Sequence, residues 1–117
     1  MHSTTVKRKL ERVAARLILD HIEWHGWNVR MVDDGEPGYE PKPQVTTIEE
    51  ALDKVFGVDE ASVYVTRGKA VGRLYFVLGN APEEVLSDYT INISALDDFD
   101  VEAVLDEKLN TILEGAS

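Results

Sequence analysis

ASVYVTRGKAVGRLYFVLGNAPEEVLSDYT, residues 61–90, carries the densest run of β-branched and aromatic side chains in the chain, and its reading decides the fold. Ser62, Tyr64 and Thr66 alternate with Val63 and Val65, the period of a strand with one buried face. Arg67-Gly68-Lys69 supplies a turn whose glycine is free to take positive φ, and Val71 to Leu78 returns as the second arm of a hairpin. Gly79-Asn80 then stops the strand.

Upstream of the hairpin, Val6, Leu10, Val13, Ala14, Leu17, Ile18, His21 and Ile22 recur at three- and four-residue steps. They place one stripe along an α-helix running from about Thr5 to His25. Thr4 or Thr5 is its expected N-cap and Gly26 its stop. Trp27 to Val32 alternates as a short strand, with Trp27, Val29 and Met31 on one side. The segment EPGYEPKPQ, Glu36 to Gln44, holds three of the chain's four prolines and is a loop. Tyr39 within it either packs back onto the domain or anchors a partner. Thr47-Ile48-Glu49-Glu50 is a capping box opening a helix of about two turns, with Ala51, Leu52, Val55 and Phe56 inward and Gly57 as the stop.

Downstream, Asn80 to Leu86 reads either as a helical turn started by Pro82 or as a loop into a strand at Tyr89 to Ile93. Val101, Val104, Leu105, Leu109, Ile112 and Leu113 then form the stripe of a last helix, capped by Asp98 or Asp100 and closed by Gly115. Residues 1–117 are thus expected to form a single α+β domain. A small antiparallel sheet of three to four strands carries two long amphipathic helices on one face. The expected core comprises Leu10, Val13, Leu17, Ile18, Val65, Leu74, Phe76, Leu78, Val104, Leu105 and Leu109.

Composition narrows the function. With 44% hydrophobic and 29% charged residues the chain has enough apolar surface to fold. The absence of cysteine excludes disulfides, thiolate metal sites and cysteine catalysis. The first residues are broken by charges before any apolar run reaches the length of a signal or membrane segment. The net charge of −10 is unevenly spread. Residues 1–30 hold six basic side chains against three acids, a balance of +3, whereas residues 81–117 hold ten acids against Lys108 alone, a balance of −9. Such an acidic chain is a poor direct ligand for duplex nucleic acid and a good one for a basic protein surface.

Other candidate sites have simpler explanations. His21 and His25 share one helix face, as zinc-binding pairs do, yet two imidazoles do not complete a site and His25 suits a helix C-terminus. Asp98, Asp100 and Glu102 alternate like the start of a calcium loop, but the glycine such a loop needs is missing. Glu83, Glu84 and Asp88 lie in no readable cleft, and Leu78-Gly79-Asn80 lacks the spaced glycines of a phosphate-binding loop. No catalysis, cofactor or required metal is expected.

The stretch GRLYFVLG followed by GNAPEEVLSDYT, residues 79–90, resembles small bacteriophage and prophage proteins with a Gly-Asn turn, acidic residues and Ser/Asn-Asp-Tyr-Thr after a hairpin. The resemblance spans about Glu60 to Ile93 and brings no catalytic residue with it. It implies an accessory protein in a bacterial cytoplasm. The expected partner-binding acids are Glu83, Glu84, Asp88, Asp97, Asp98, Asp100, Glu102, Asp106 and Glu107. An alternative is a small regulatory or nucleic-acid-contacting module using the basic patch Lys7, Arg8, Lys9, Arg12 and Arg16. The protein is expected to be a monomer or homodimer.

Overall fold

A computed structural model describes residues 2–33 and 44–116, with side chains described for 7–33 and 44–108. The hairpin is the centre of the molecule. Strands β2 (Glu60–Arg67) and β3 (Ala70–Val77) pair antiparallel, with Arg67 opposite Ala70 across a turn in which Gly68 has φ +62°. β1 (Asn28–Asp33) and β4 (Leu86–Tyr89) flank them, giving a four-stranded antiparallel sheet in the order β1-β2-β3-β4. Three helices, α1 (His2–Trp24), α2 (Ile48–Val58) and α3 (Val101–Ala116), complete an α+β fold, with α2, expected at about two turns, extending over 11 residues.

One sheet face is buried. Ala61, Val63 and Val65 of β2 pair with Phe76, Leu74 and Gly72 of β3, and the core they enter also takes α1, α2 and Leu105 of α3. Gly72 is required by this packing, because a Cβ there would lie 2.7 Å from the Cδ1 of Ile93 and 3.2 Å from Cζ3 of Trp27. Trp27 and Ile93 fill the space over the glycine and are themselves buried.

Several expectations shift by one position. α1 starts at His2, so Thr4 and Thr5 lie within it and do not cap it. Its buried stripe is Glu11, Ala14, Ala15, Ile18, Leu19 and Ile22, while Leu10, Val13 and Leu17 are half-buried. The apolar pattern alone skipped Glu11, which is why the expected stripe sat rotated to one side. Gly26 does end the helix, with φ +94°. In β1 the register slips between Val29 and Met31, so Val29 and Val32 both face the core and Met31 turns outward. Thr47 caps α2, accepting from the Glu50 N–H at 3.2 Å, but α2 runs through Gly57 and stops at Asp59, whose φ is +68°.

Between the hairpin and α3, each of the two readings was half right. Pro82–Glu84 forms a single 3₁₀ turn, and the strand lies at Leu86–Tyr89, earlier than Tyr89 to Ile93. A second 3₁₀ turn, Ser94–Leu96, leads into α3. Asp100 caps α3 by accepting from the Ala103 N–H at 3.1 Å, and the helix continues through Gly115. Val104 is half-buried beside buried Leu105, whereas the side chains of Leu109, Ile112 and Leu113 lie outside the described residues, as does Tyr39.

Ile18→Ala and Leu105→Ala should each cost about 2–5 kcal/mol, and Leu17→Ala less than Ile18→Ala. Gly72→Ala should cost about 1–3 kcal/mol through overpacking, and Ile93→Val in the same chain should return part of it. Urea denaturation of the five variants checks the order.

Candidate functional site

The basic patch on α1 is largely paired inside the molecule. Arg8 meets Asp59 at 2.6 Å, and Arg12 meets Glu49 at 2.9 Å and Asp53 at 2.7 Å. Arg16 contacts Glu49 as well as Asp20. The guanidinium groups of Arg8 and Arg12 also lie over the Phe56 ring, 5.0 and 5.6 Å from its centroid. An isolated exposed ion pair contributes only about 0–1 kcal/mol, but these share partners and an aromatic face, so they hold α1 against α2 as a set. Glu49 and Asp53 stand four apart on one face of α2, a spacing that could have revealed the partner of the basic helix.

Lys7 has a different role. Its Nζ donates to the Gly79 carbonyl at 2.8 Å, while the buried Glu11 carboxylate accepts from the Gly79 N–H at 2.7 Å. Two side chains one helical turn apart thus hold both polar groups of one glycine residue, whose φ is +100°. Lys9 is exposed.

The acids of the last third are arranged differently. Glu83 from the first 3₁₀ turn, together with Asp97, Asp98, Asp100 and Glu102 from the entry to α3, lines a cleft of about 450 Å3 floored by Phe99 and Val101. Glu84 is exposed in the same 3₁₀ turn. Asp88 is placed elsewhere, opposite Tyr75 in the sheet, and Asp106 and Glu107 lie further along α3. The nine acids are therefore not one patch: five are gathered at the cleft. Among the described residues, no ion pair joins any of these five to a cation.

Tyr89 borders this cluster and donates its hydroxyl proton to Asp97 at 2.8 Å. Its pKa is raised above 10.0, first by that hydrogen bond, then by burial and by the charges of Asp97, Asp88 and Asp98. Ionising Tyr89 would place a phenolate against carboxylates.

The histidines serve the same corner. His21 Nε2 lies 2.9 Å from the Ala95 carbonyl, to which it donates, and its ring stacks on Phe99 at 4.2 Å with His25 edge-on at 4.8 Å. Together they tie the end of α1 to the segment entering α3. Among the described residues, no group of three or more histidine or acidic side chains is placed to hold a metal ion.

Compared with protein-family models, with curated proteins and with solved structures, the chain finds no match.

A tyrosine whose pKa is higher in the folded state contributes stability in full below its ordinary value of 10.0, and loses it as pH rises through the raised folded value. Tyr89→Phe should therefore be less stable than the parent at neutral pH, and the gap should narrow above pH 10.0. Urea midpoints measured across that range test the sign.

Proposed function

We propose that this is a non-enzymatic interaction protein, a phage accessory factor that acts in a bacterial cytoplasm. Its acidic surface would engage or inhibit a basic, nucleic-acid-handling host protein. The observation that carries the reading is the segregation of charge: α2 and its cap Asp59 supply counter-ions to Arg8, Arg12 and Arg16, and among the described residues the cleft acids pair with no cation. Unneutralised carboxylates on a rigid edge project a field that speeds encounter with a cationic partner, and they can stand where phosphates would.

Capping α3 does not account for so many acids. A helix N-terminus gains about 0.3–1 kcal/mol from a nearby carboxylate, and the gain is confined to the first turn. Asp100 already provides the cap. The remaining acids repel one another, a cost that binding to a cation-rich surface would offset.

The alternative, a nucleic-acid module built on the basic helix, loses support from the same contacts. Arginines held by Glu49, Asp53 and Asp59 would have to break those pairs before neutralising phosphates. No helix among the described residues is long and apolar enough to cross a membrane.

The full chain immobilised in bacterial lysate should retain a basic protein that salt elutes. Asp98→Lys, Glu102→Lys and Asp106→Lys combined should slow association roughly tenfold or more and flatten its salt dependence. Among the described residues none of the three is in an ion pair, so the fold should persist with a loss of no more than about 1 kcal/mol from Glu102 at the first turn of α3. Unchanged association at low salt would sink the acidic-face reading.

A further inference from the structure

The sheet face turned away from the helices has a charge layout of its own. Its residues stand in rows across the strands, set by the register. Asn28, Thr66 and Val71 form the row nearest the hairpin turn, followed by Met31, Tyr64 and Arg73. Asp33, Ser62, Tyr75 and Asp88 come next, and Glu60 and Val77 last. Arg30, at the β1 bulge, reaches this face and donates to the Thr66 hydroxyl at 2.9 Å. Both arginines thus stand in the half nearest the turn, and all three acids stand in the other half. Val71 is 59% exposed, and Met31, Tyr64, Tyr75 and Val77 are half-buried although no helix among the described residues covers them.

We propose that this open face is a homodimer interface, occupied by a second copy of the chain. Take a two-fold axis lying between the two faces and running across the strands, between the Tyr64 row and the Ser62 row. It sets the turn half of each copy over the far half of the other. Val71 of each copy then meets Val77 of the other, Arg73 meets Tyr75 next to Asp88, and Arg30 meets Asp33. The face is complementary in charge to itself only in this head-to-tail sense. Arg73 already lies 5.3 Å over the Tyr75 ring within one copy, so a cation on that ring is a contact the surface makes readily.

Single-stranded nucleic acid is the competing occupant, since tyrosines and arginines on a sheet can stack bases. The row of carboxylates across the same face repels a phosphate chain, and favours a partner that brings its own cations. The acidic cleft lies with the 3₁₀ turn and α3, which pack against α1, so a dimer formed on the open face would leave it exposed. Strands of six, eight, eight and four residues, at about 3.3 Å per residue and about 4.8 Å spacing, give a footprint on the order of 400 Å2 per copy. That is at the small end of specific interfaces, so the dimer should be weak, with a dissociation constant of about micromolar or above.

Sedimentation equilibrium of the full chain from about 1 µM to about 1 mM tests this range. The mass should rise from 13.1 kDa toward twice that value, and less so as salt increases. Arg73→Glu should weaken association at least tenfold, as should Asp88→Lys. Mixing those two variants should restore it, because each then carries the charge the other needs. Val71→Glu, at an exposed position, is the second route to a monomer should Arg73→Glu disturb the fold by circular dichroism. The proposal is overturned by a wild-type mass fixed at 13.1 kDa. It also fails if the dimer survives both charge variants, or if an oligothymidylate binds the face where no dimer forms.

Discussion

The Gly79 residue held by Lys7 and Glu11 is the joint on which the rest of the structure depends. It fastens the end of β3 to the first half of α1, and everything from Ala81 onward leaves from that point. The carboxylate of Glu11 is buried, and such burial is tolerated because it accepts the Gly79 N–H. Fixing Gly79 sets the direction of the chain into Pro82–Glu84, which brings Glu83 toward the acids at the start of α3. The acidic cleft thus depends on a contact made by the basic helix, through its polar groups and without charge pairing across the cleft.

Charge in this protein is sorted by element. α1 and α2 form a nearly self-neutralising pair, the open sheet face divides its own charges into two halves, and the entry to α3 concentrates acids that pair with no cation among the described residues. A protein selected for solubility alone has no reason to keep these populations apart, since dispersed charges serve that end at lower self-repulsion. Sorting of this kind is what different surfaces with different tasks require.

The hairpin, the capping box at Thr47 and the cap at Asp100 were all legible in the sequence, because each rests on a local rule relating a few neighbouring residues. What was hidden depends on tertiary partners. Glu11 reads as a surface acid until Gly79 is placed beside it. Arg12 and Arg16 read as a free basic patch until α2 folds back across them. Gly57 reads as a helix stop, yet α2 continues through exposed Val58, and Asp59 takes the left-handed position with its N–H on the Val55 carbonyl and its own carbonyl accepting from the Leu78 N–H. The acids at the cleft were named as a group from composition. Only the 3₁₀ turn at Pro82–Glu84 separates those that converge from Asp88, which points to the other face.

The slip at Arg30 makes chain length in β1 count as much as residue type. With one residue looped out of register, Val29 and Val32 reach the same interior although three positions separate them. Losing the codon of Arg30 or Met31 would erase the bulge and leave Val29 and Val32 both facing inward, whereas losing that of Val29 would carry a charged neighbour toward the core. Shortening of this strand is therefore open at the bulge and closed at Val29, so among diverged copies of the gene a missing residue should fall at Arg30 or Met31.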